Sequence, residues 1–391
     1  MSLILTINAG SSSLKFSVYL AEPKNRPAIE RNLAVTEIAD GQIENLGPAA
    51  RLLFKHNGSK TVSEIGTVDH AIAMSLILKT IEPILEGREV VGVGHRVVHG
   101  GVEFVEPIIL NDENIERLSA LIPLAPLHQP HNLASVEATR EAFPKTIQVA
   151  CFDTAFHRGQ PWVNDVFAIP RRFYDEGVRR YGFHGLSYDY ITTELKEQWP
   201  ELLESKVIIA HLGNGASMCA VQNGTSRGST MGFSPLDGLP MGTRCGQLDP
   251  GVLLYLMDKG LSPKEIGSML YQDSGLKGLS GISSDMRTLL DSKAPEARQA
   301  IDYYVFRIRR EIGAMSAVMG GLDALVFCGG IGENASEIRE MVLENMDYLG
   351  LSVNRDANNS NQQNIGSGTT LALVIATDEE RVIARAVAQR L

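Results

Sequence analysis

Two short segments rich in glycine, serine and asparagine, far apart in the chain, carry the residue types that bind phosphate. Residues 8–13 read Asn-Ala-Gly-Ser-Ser-Ser and follow the apolar run 3–7, whereas residues 211–217 read His-Leu-Gly-Asn-Gly-Ala-Ser and follow the run 207–210. An apolar alternation resumes after each segment, so both predict β-hairpins whose turns offer backbone N–H groups and small hydroxyls to a phosphate group. Because the design occurs twice, the sequence suggests a duplicated architecture with phosphates held between the copies.

Lys15 adds a positive charge beside the first of these turns. It stands between Leu14 and Phe16, so the segment lacks the Gly-Lys-Ser/Thr ending of a Walker A loop. A single Gly/Ser-rich stretch is commonly an ordinary turn. The pairing of two such stretches, together with the lysine, favours phosphate binding of the hairpin type.

Two arginines and one aspartate are candidate catalytic residues for chemistry at a phosphate group. Arg96 and Arg244 lie in segments rich in Gly and His, and their planar forks can bind carboxylate and phosphoryl oxygens together. The alternative for each arginine is a structural salt bridge. Asp153 follows the apolar run 149–152, where α/β enzymes place catalytic carboxylates, although an aspartate after a strand is also common as a turn or cap residue.

The histidines and cysteines do not indicate a zinc site. His95 and His99 form one close pair and His128 and His131 another, but both pairs lie in Pro- and Gly-rich sequence without clustered cysteines. The four cysteines are far apart, lack C-x-x-C spacing and are expected to be core thiols: Cys151, Cys219, Cys245 and Cys328.

The elements that must position these residues alternate between strands and helices. Strands are predicted at 89–93, 146–153, 207–211, 324–328 and 371–376, and helices at 69–85, 114–121, 297–319 and 379–391, which is typical of α/β layers. Thr377 and Glu380 predict a capping box at the start of the last helix. Residues 329–332 predict a glycine-rich turn, and the polar residues 356–368 predict a surface loop.

Length and composition bound the class of protein. A chain of 391 residues with 44% hydrophobic and 21% charged residues is expected to form two globular domains. No apolar run reaches the roughly 18 residues of a membrane span, and the N-terminus lacks a signal-peptide pattern, so we expect a cytoplasmic protein. The net charge of −10 argues against nucleic-acid and anionic-membrane partners, which leaves a small-molecule enzyme as the default class.

Eight ordered motifs resemble one enzyme family. They are NAGSSSLK at 8–15, GHRVVHGG at 94–101, APLH at 125–128, FDTAFH at 152–157, RYGFHG at 180–185, HLGNG at 211–215, MGTRCG at 241–246 and GIGEN at 330–334. In this order and at this length they closely resemble the acetate kinase family. The resemblance extends from residue 3 to the last predicted helix.

The resemblance implies a fold and a reaction. The implied fold is α/β, with two ribonuclease-H-like domains of the actin/Hsp70/sugar-kinase superfold, an interdomain nucleotide cleft and a homodimeric assembly. Residues 1–150 plus 377–391 are expected to form the N-terminal domain on the acetate and metal side, and residues 151–376 the C-terminal domain with nucleotide binding and dimer contacts. The implied reaction is ATP plus acetate giving acetyl phosphate plus ADP, with Mg²⁺ as cofactor and Mn²⁺ as a substitute.

The resemblance also implies roles for individual residues. Catalytic roles fall to Asp153, Arg96, Arg244 and His184. The acetate is expected to contact Arg96, Val98, Leu127, Phe183 and Pro235, with His128, His184 and His211 lining the site and Asn8 and Glu379 near the metal. The nucleotide is expected to contact Lys15, Ser11, Ser13, His211, Leu212, Gly213, Asn214, Gly215, Asp285, Met286, Arg287, Gly330, Ile331, Gly332, Glu333 and Asn334. For Glu333 a second role is equally compatible with the sequence, as a favourable charge at a helix N-terminus.

Three functions remain as hypotheses at this point. The leading one is acetate kinase, the second is a propionate or butyrate kinase of the same family, and the third is an ATP-driven binding protein of the actin or Hsp70 type. Gln129, Ser284 and Asp378 depart from the residues common in the family. These departures concern fine geometry near the metal and leave the reaction class unchanged.

Overall fold

The computed structural model describes residues 2–10, 13–21, 35–202 and 204–391. These residues form two compact units, of which the first comprises Met1–Ala155 and Asp378–Leu391 and the second comprises Phe156–Thr377. The predicted boundary at 150/151 would cut a strand that continues to Phe152. Asp153 also belongs to the first unit, because its N–H donates to Val97 O at 3.2 Å.

The strands form one sheet in each unit. The first sheet contains β1 (Ser2–Ala9), β2 (Leu14–Ala21), β3 (Thr36–Glu44), β4 (Gly47–His56), β5 (Ser59–Val68), β6 (Val90–Val97), β7 (Ile108–Ile109) and β8 (Ile147–Phe152) in the order β5-β4-β3-β2-β1-β6-β8-β7. The second contains β9 (Lys206–Leu212), β10 (Ala216–Gln222), β11 (Thr225–Ser229), β12 (Ala324–Cys328) and β13 (Leu371–Val374) in the order β11-β10-β9-β12-β13.

The α-helices connect and cover these strands. They are α1 (His70–Leu85), α2 (Asp112–Ser119), α3 (Gln129–Ala142), α4 (Trp162–Asp165), α5 (Arg171–Asp175), α6 (Gly185–Gln198), α7 (Pro250–Asp258), α8 (Pro263–Gln272), α9 (Gly275–Ser280), α10 (Met286–Asp291), α11 (Pro295–Met319), α12 (Gly329–Asn334), α13 (Ser336–Leu343), α14 (Arg355–Asn359) and α15 (Glu379–Ala388). Among the residues described, no helix is both long and apolar enough to cross a membrane.

Both predicted hairpins are confirmed. β1 pairs antiparallel with β2, with Ala9 opposite Leu14, and β9 pairs antiparallel with β10, with Leu212 opposite Ala216. β1, β6 and β8 run parallel to one another, as do β9, β12 and β13. The carboxyl ends of parallel strands meet at one edge of a sheet, so residues that end these strands are brought together.

The first sheet is covered on both faces. Val93 packs with the buried face of α1, and alternation of side chains along β6 turns Gly92, Gly94 and Arg96 to the opposite face. A Cβ at Gly94 would lie 2.3 Å from Ile383 Cγ2, and one at Gly92 would lie 2.3 Å from Val387 Cγ1. The two glycines therefore let α15 lie directly on the sheet, on the face that carries Arg96.

The second sheet has its own apolar core. Side chains from β9, β10, β12 and β13 pack with the buried face of α6, among them Ile209, Cys219, Val326 and Ile191. The predicted strands and helices all occur, with small shifts at their ends. β3, β4 and β5 were not predicted. β5 is exposed over almost its whole length and therefore lacks an apolar pattern.

Two local predictions are wrong. The N-cap of α15 is Asp378, whose side chain accepts from Arg381 N at 2.9 Å, so Thr377 and Glu380 do not form a capping box. Residues 356–368 are not only a surface loop, because α14 begins at Arg355 and Asn358 is fully buried. The buried guanidinium of Arg339 needs acceptors there and takes both Asn358 Oδ1 and its backbone oxygen.

Candidate active site

Arg96 and Asp153 form a bidentate ion pair at the carboxyl edge of the first sheet. Arg96 lies near the end of β6, and Asp153 follows β8, its parallel neighbour. Arg96 Nε donates to Asp153 Oδ1 at 2.9 Å and Arg96 Nη2 donates to Oδ2 at 2.6 Å. Only 1% of Asp153 is exposed, so this pair is largely removed from water.

Asn8 connects this ion pair to the start of α15. Its Oδ1 accepts from Arg96 Nη1 at 3.0 Å, and its Nδ2 donates to Glu379 Oε2 at 3.2 Å and to Glu380 Oε1 at 3.0 Å. Arg96 Nη1 also lies 3.7 Å from Glu379 Oε2. The predicted residues Asn8, Arg96, Asp153 and Glu379 are thus in one network, and Glu380 is a member that the capping-box interpretation missed.

Charge and burial act against each other in this network. Burial lowers the pKa of Arg96, but the nearby carboxylates of Asp153 and Glu379 outweigh it, and the pKa of Arg96 is raised overall. Burial raises the pKa of Glu380, and the charge of Glu379 adds to this effect, whereas Lys15 opposes it. Three carboxyl groups lie around one guanidinium, so the network is rich in oxygen donors.

The first hairpin turn lies beside this network. Lys15 is exposed on β2 and pairs across the hairpin with Asn8. Gly10 N donates to Ser13 O at 2.8 Å, which closes the turn. Ser11, predicted to contact the nucleotide, lies outside the described residues.

Side chains from the first turn of α3 hold the end of β1 and the backbone that follows Arg96. Asn132 Nδ2 donates to Ala9 O at 2.7 Å, and Asn132 Oδ1 accepts from Val98 N at 2.9 Å. Gln129 Nε2 donates to His99 O at 3.1 Å. Sequence analysis missed Asn132, although its place within one helical turn of the A-P-L-H motif was an available signal.

The other predicted acetate-side residues of the first unit lie close to α3. His128 occupies its N-cap position, and Leu127 precedes it with 40% of its surface exposed. Val98 follows β6 directly and is buried. Leu127 is therefore an exposed apolar side chain next to the loop that carries His128.

The second hairpin turn lies beside the loop that follows β12. Gly213 N donates to Gly215 O at 3.0 Å, and a Cβ at Gly213 would lie 3.7 Å from Gly330 N. His211 and Cys328 are register partners on parallel strands. At Gly329, φ is +74° and a Cβ would lie 2.8 Å from Leu212 O, so this close approach requires glycine.

Residues 329–332 form the first part of a helix, α12, rather than a turn. Glu333 Oε1 accepts from Gly329 N at 2.8 Å and from Thr377 N at 3.1 Å. The Glu333 carboxylate therefore accepts from the first amide of α12, the helix that contains Glu333 itself. Its predicted contact with the nucleotide stays a prediction. The remaining predicted nucleotide residues of this segment lie within α12: Gly330, Ile331, Gly332 and Asn334.

Two histidines stack beside the second turn. The rings of His184 and His211 are 4.3 Å apart between centroids, with an angle of 27° between planes. His184 Nδ1 is hydrogen-bonded to Ser217 Oγ at 2.9 Å, and His211 Nδ1 to Ser187 Oγ at 2.8 Å. A Cβ at Gly215 would lie 3.1 Å from His184 Nε2, so the ring edge borders the backbone of the turn.

Arg244 lies on a loop that is bonded to the same turn. Gly242 N donates to Asn214 O at 3.3 Å, and Met241 N donates to Arg244 O at 3.0 Å. The Arg244 side chain is partly buried, and its Nη1 is 3.9 Å from Met241 Sδ. The structure thereby brings together the predicted residues Asn214 and Arg244.

The predicted nucleotide residues at the start of α10 lie in a more exposed place. Asp285 caps α10 by accepting from Thr288 N at 3.0 Å, and Arg287 Nη2 donates to Asp285 Oδ2 at 3.0 Å. This hydrogen bond with Arg287 lowers the pKa of Asp285. Met286, between these two residues in the sequence, is buried. Phe183 and Pro235, which lie elsewhere in this unit, are also buried.

The residues described contain no group of three or more His, Cys, Asp or Glu side chains placed to hold a metal ion. Glu379 and Glu380 both accept from the side-chain amide of Asn8, so two carboxyl groups lie beside its amide oxygen. Carboxylate and amide oxygens are the donors that suit Mg²⁺, a cation that usually keeps several waters.

Comparison with known proteins shows to which family the chain belongs. The model of the acetokinase family matches residues 3–385. The acetate kinase of Methylocella silvestris is 53% identical over 391 residues, covering 98% of this chain and 96% of the relative. The acetate kinase of Rhodopseudomonas palustris is 46% identical over 392 residues, with 98% and 96% covered.

Solved structures agree in fold. The acetate kinase of Porphyromonas gingivalis matches with a TM-score of 0.86 and 37% identity over 99% of both chains. A propionate kinase from Francisella tularensis matches with a TM-score of 0.89 and 34% identity, also over 99% of both chains. The predicted α/β fold class is confirmed, and the chain belongs to the acetokinase family.

Proposed function

We propose that the protein is an acetate kinase that reversibly transfers the γ-phosphoryl group of ATP to acetate, giving acetyl phosphate and ADP. Membership of the acetokinase family and the 53% identity with an acetate kinase support this proposal. The structural observation that carries it is the network of Arg96, Asp153 and Asn8 at the strand ends. A guanidinium held in this way is suited to binding oxyanions.

The acetate and the metal belong to the first unit in this proposal. Arg96 binds the acetate carboxylate, and Val98 and Leu127 supply apolar surface to its methyl group, with Phe183 and Pro235 as the other predicted contacts. An acetate carboxylate has a pKa of about 4 and is ionised at neutral pH, so the reaction needs no strong general base. Asp153 therefore serves chiefly to position Arg96.

The nucleotide belongs to the second unit. The 213–215 turn lies next to Gly330 of α12. Backbone amides of these two segments, other than those of Gly213 and Gly329, which already donate within the protein, are proposed to bind phosphate groups. Lys15 and Ser13 of the first hairpin are proposed as further phosphate contacts. Asp285 and Arg287 are proposed for the adenosine, and their exposure is compatible with a ligand that covers them.

Arg244 and His184 are proposed to stabilise the transferring phosphoryl group. Phosphoryl transfer depends on positioning and on neutralising charge, which fixed guanidinium and imidazole donors supply. An acetate oxygen attacks the γ-phosphorus, the bond from this phosphorus to the bridging oxygen of ADP breaks, and ADP leaves with that oxygen. His128 and His211 line the site in this proposal.

Mg²⁺, or Mn²⁺ as a substitute, is the proposed cofactor. Glu379 and Asn8 would hold it directly or through water, and the oxygen donors of their network fit a hard cation. When bound, Mg²⁺ neutralises charge on the β- and γ-phosphates.

We also propose a homodimer that works in the cytoplasm without nucleic-acid or membrane partners. Leu254, Tyr255 and Met257 on α7 are exposed, and no residue of this helix is buried. An apolar helix left uncovered in this way is typical of a subunit interface. A Leu254→Glu variant should shift the sedimentation profile from dimer to monomer, and a monomeric wild type would refute the assembly.

The second candidate is a propionate kinase, which the structural match to such an enzyme favours. One methylene changes binding by only about 1–3 kcal/mol, so propionate is expected to be a poorer substrate and not an excluded one.

The experiment that tests the function measures ADP release from ATP with and without an added carboxylic acid substrate, and hydroxylamine traps the acyl phosphate. We expect acetyl hydroxamate and ADP in equal amounts, and a higher kcat/KM for acetate than for propionate or butyrate. A higher kcat/KM for propionate or butyrate would favour the second candidate. ADP release without any acid would instead indicate an ATP-driven binding protein.

A further inference from the structure

A chain of two buried hydroxyl groups ends on His184 in the second unit. α6 begins directly after His184, and Tyr188 lies in its first turn, whereas Ser217 lies on β10. Ser217 Oγ is hydrogen-bonded both to Tyr188 Oη and to His184 Nδ1, the latter at 2.9 Å. Both hydroxyl-bearing residues are completely buried, so water does not compete for these bonds.

The direction of the hydrogen bonds follows from the number of hydrogens. Burial raises the pKa of Tyr188 well above its ordinary value, so its phenol keeps its hydrogen. Within the described part of the chain, Ser217 Oγ is the hydrogen-bond partner of Tyr188 Oη, and a buried donor without an acceptor is costly. Tyr188 therefore donates to Ser217, and Ser217 has its own hydrogen left for His184 Nδ1.

This direction determines the tautomer of the imidazole. A neutral histidine carries one ring hydrogen, and an Nδ1 that accepts from Ser217 leaves the hydrogen on Nε2. Nε2 is the atom that borders the 213–215 turn, 3.1 Å from the position of a Cβ at Gly215. The Nε2–H of His184 is therefore a hydrogen-bond donor beside the turn, and it donates from a neutral ring.

His211 has a matching arrangement. Thr377 Oγ1 donates to Ser187 Oγ at 2.8 Å, and Ser187 Oγ lies 2.8 Å from His211 Nδ1. With the imidazole rings 4.3 Å apart, two charged rings would repel each other, whereas two neutral rings stack without this cost. Both hydroxyl pairs favour neutral imidazoles with the hydrogen on Nε2.

We propose that Tyr188 and Ser217 are positioning residues that hold neutral His184 in its Nε2–H tautomer, so that it donates to a phosphoryl oxygen at the 213–215 turn. The identity of the acceptor rests on the proposed function, whereas the tautomer does not. Two buried side chains of the same unit offer matched controls, because Tyr304 Oη and Ser316 Oγ have no hydrogen-bond partner among the described residues.

The tautomer can be measured directly. Protein labelled with ¹⁵N-histidine is examined by NMR near pH 8, where imidazoles are mainly neutral, and a His184→Gln variant assigns the signals. In the wild type we expect a protonated Nε2 and an unprotonated Nδ1. Tyr188→Phe frees Ser217 to accept, so the fraction with a protonated Nδ1 should rise, whereas Tyr304→Phe should leave the spectrum of His184 unchanged.

Kinetics supply the second readout. Tyr188→Phe and Ser217→Ala should each lower kcat about fivefold to tenfold with little change in the KM for acetate. Ser217→Thr keeps a hydroxyl and should recover part of the loss, and Ser316→Ala should behave as the wild type.

A protonated Nδ1 on His184 in the wild type would overturn the proposal, as would an unchanged ring spectrum in Tyr188→Phe. If the Tyr188→Phe variant does not fold, the wild-type spectrum and Ser217→Ala still decide the matter. If the wild type has the expected tautomer but makes no acetyl phosphate, the proposed function is refuted, whereas the role of Tyr188 and Ser217 in setting the tautomer of His184 is still supported.

Discussion

Arg96 binds Asp153 through one edge of its guanidinium, Nε to Oδ1 at 2.9 Å and Nη2 to Oδ2 at 2.6 Å, while its Nη1 donates to Asn8. Burial makes each member of this pair dependent on the other, because a buried charge without its partner is strongly destabilising. The stabilising effect of this pair and the catalytic role proposed for Arg96 can therefore be tested separately.

Arg96→Ala is expected to lower kcat by about 10² or more, since it removes donors aimed at oxyanion charge. It should also lower the free energy of unfolding by about 3 kcal/mol, because Asp153 loses its ion pair. Steady-state kinetics and urea unfolding measure the two effects. Arg96→Lys should recover only part of kcat, because the fork geometry is lost.

Arg117→Ala provides a matched control for the loss of stability. Arg117 forms an ion pair with Glu103 in the same unit, but both side chains are about half exposed. Its removal should change the free energy of unfolding by less than about 1 kcal/mol. Near-wild-type kcat in Arg96→Ala would refute the role proposed for this residue.

Glu379→Gln is expected to raise the Mg²⁺ concentration for half-maximal activity by about tenfold or more, with a smaller change in the KM for acetate. The reason is that a carboxylate next to Asn8 and Arg96 is lost from the oxygen-rich network. Mg²⁺ titrations of activity measure this, and the exposed Glu103→Gln serves as control. An unchanged titration would show that Glu379 does not contribute to metal binding.

Gly94→Ala should displace α15 and with it Glu379, because the added Cβ would lie 2.3 Å from Ile383 Cγ2. We expect a loss of about 1–3 kcal/mol in the free energy of unfolding together with reduced activity. The second-site change Ile383→Ala removes the nearer of two clashing atoms, the other being Val387 Cγ2 at 2.9 Å, and should restore part of the activity.

Gly267→Ala is the control for this pair, since Gly267 lies in α8 and a Cβ there meets nothing within 4 Å. If Ile383→Ala does not improve the activity of Gly94→Ala, then the approach of α15 to β6 is not what limits that variant.

Stability should fall as the pH is lowered below 6.5. Burial lowers the pKa of His95 from 6.5 to about 4, and its bond to Gln148 offsets this only in part. Between these values the unfolded chain binds a proton that the folded chain does not, so the free energy of unfolding falls as pH falls, by about 1.4 kcal/mol per pH unit.

His95→Gln should remove this contribution from unfolding curves recorded between about pH 6.5 and pH 5. His157, which is buried in the second unit with its pKa also lowered to about 4, should give a similar slope of its own. A His95→Gln variant with the same pH slope as the wild type would contradict this assignment.

The sequence allowed prediction of what depends on local pattern. The two hairpins and the long helices follow from apolar periodicity and turn residues, and Asp153 follows from its place after a strand. The strand predicted at 89–93 extends in the structure to Val97 and so includes Arg96. Contacts set by topology were not accessible in this way. Glu380 looked like a capping residue because its hydrogen bond is to Asn8, at the opposite end of the chain.

Asn132 illustrates the same limit. Its side chain bonds to the backbone of Ala9 and Val98, which are distant in sequence. Its position close to the A-P-L-H motif suggested that it lies near the site, but not which backbone groups it binds. The turn predicted at 329–332 became a helix because Glu333 satisfies the first amide of that segment, an interaction that depends on a single side chain.

In the proposed reaction an acetate oxygen attacks phosphorus and becomes the bridging oxygen of acetyl phosphate; the alternative is a phosphate oxygen that attacks the carboxyl carbon. Acetate labelled with ¹⁸O distinguishes the two, because hydroxylamine attacks the carbonyl carbon of acetyl phosphate and releases phosphate that keeps the bridging oxygen. We expect one ¹⁸O in each phosphate released and no ¹⁸O in the ATP that has not reacted. Phosphate without the label would contradict the account, since it would show that the acetate oxygen never became bonded to phosphorus.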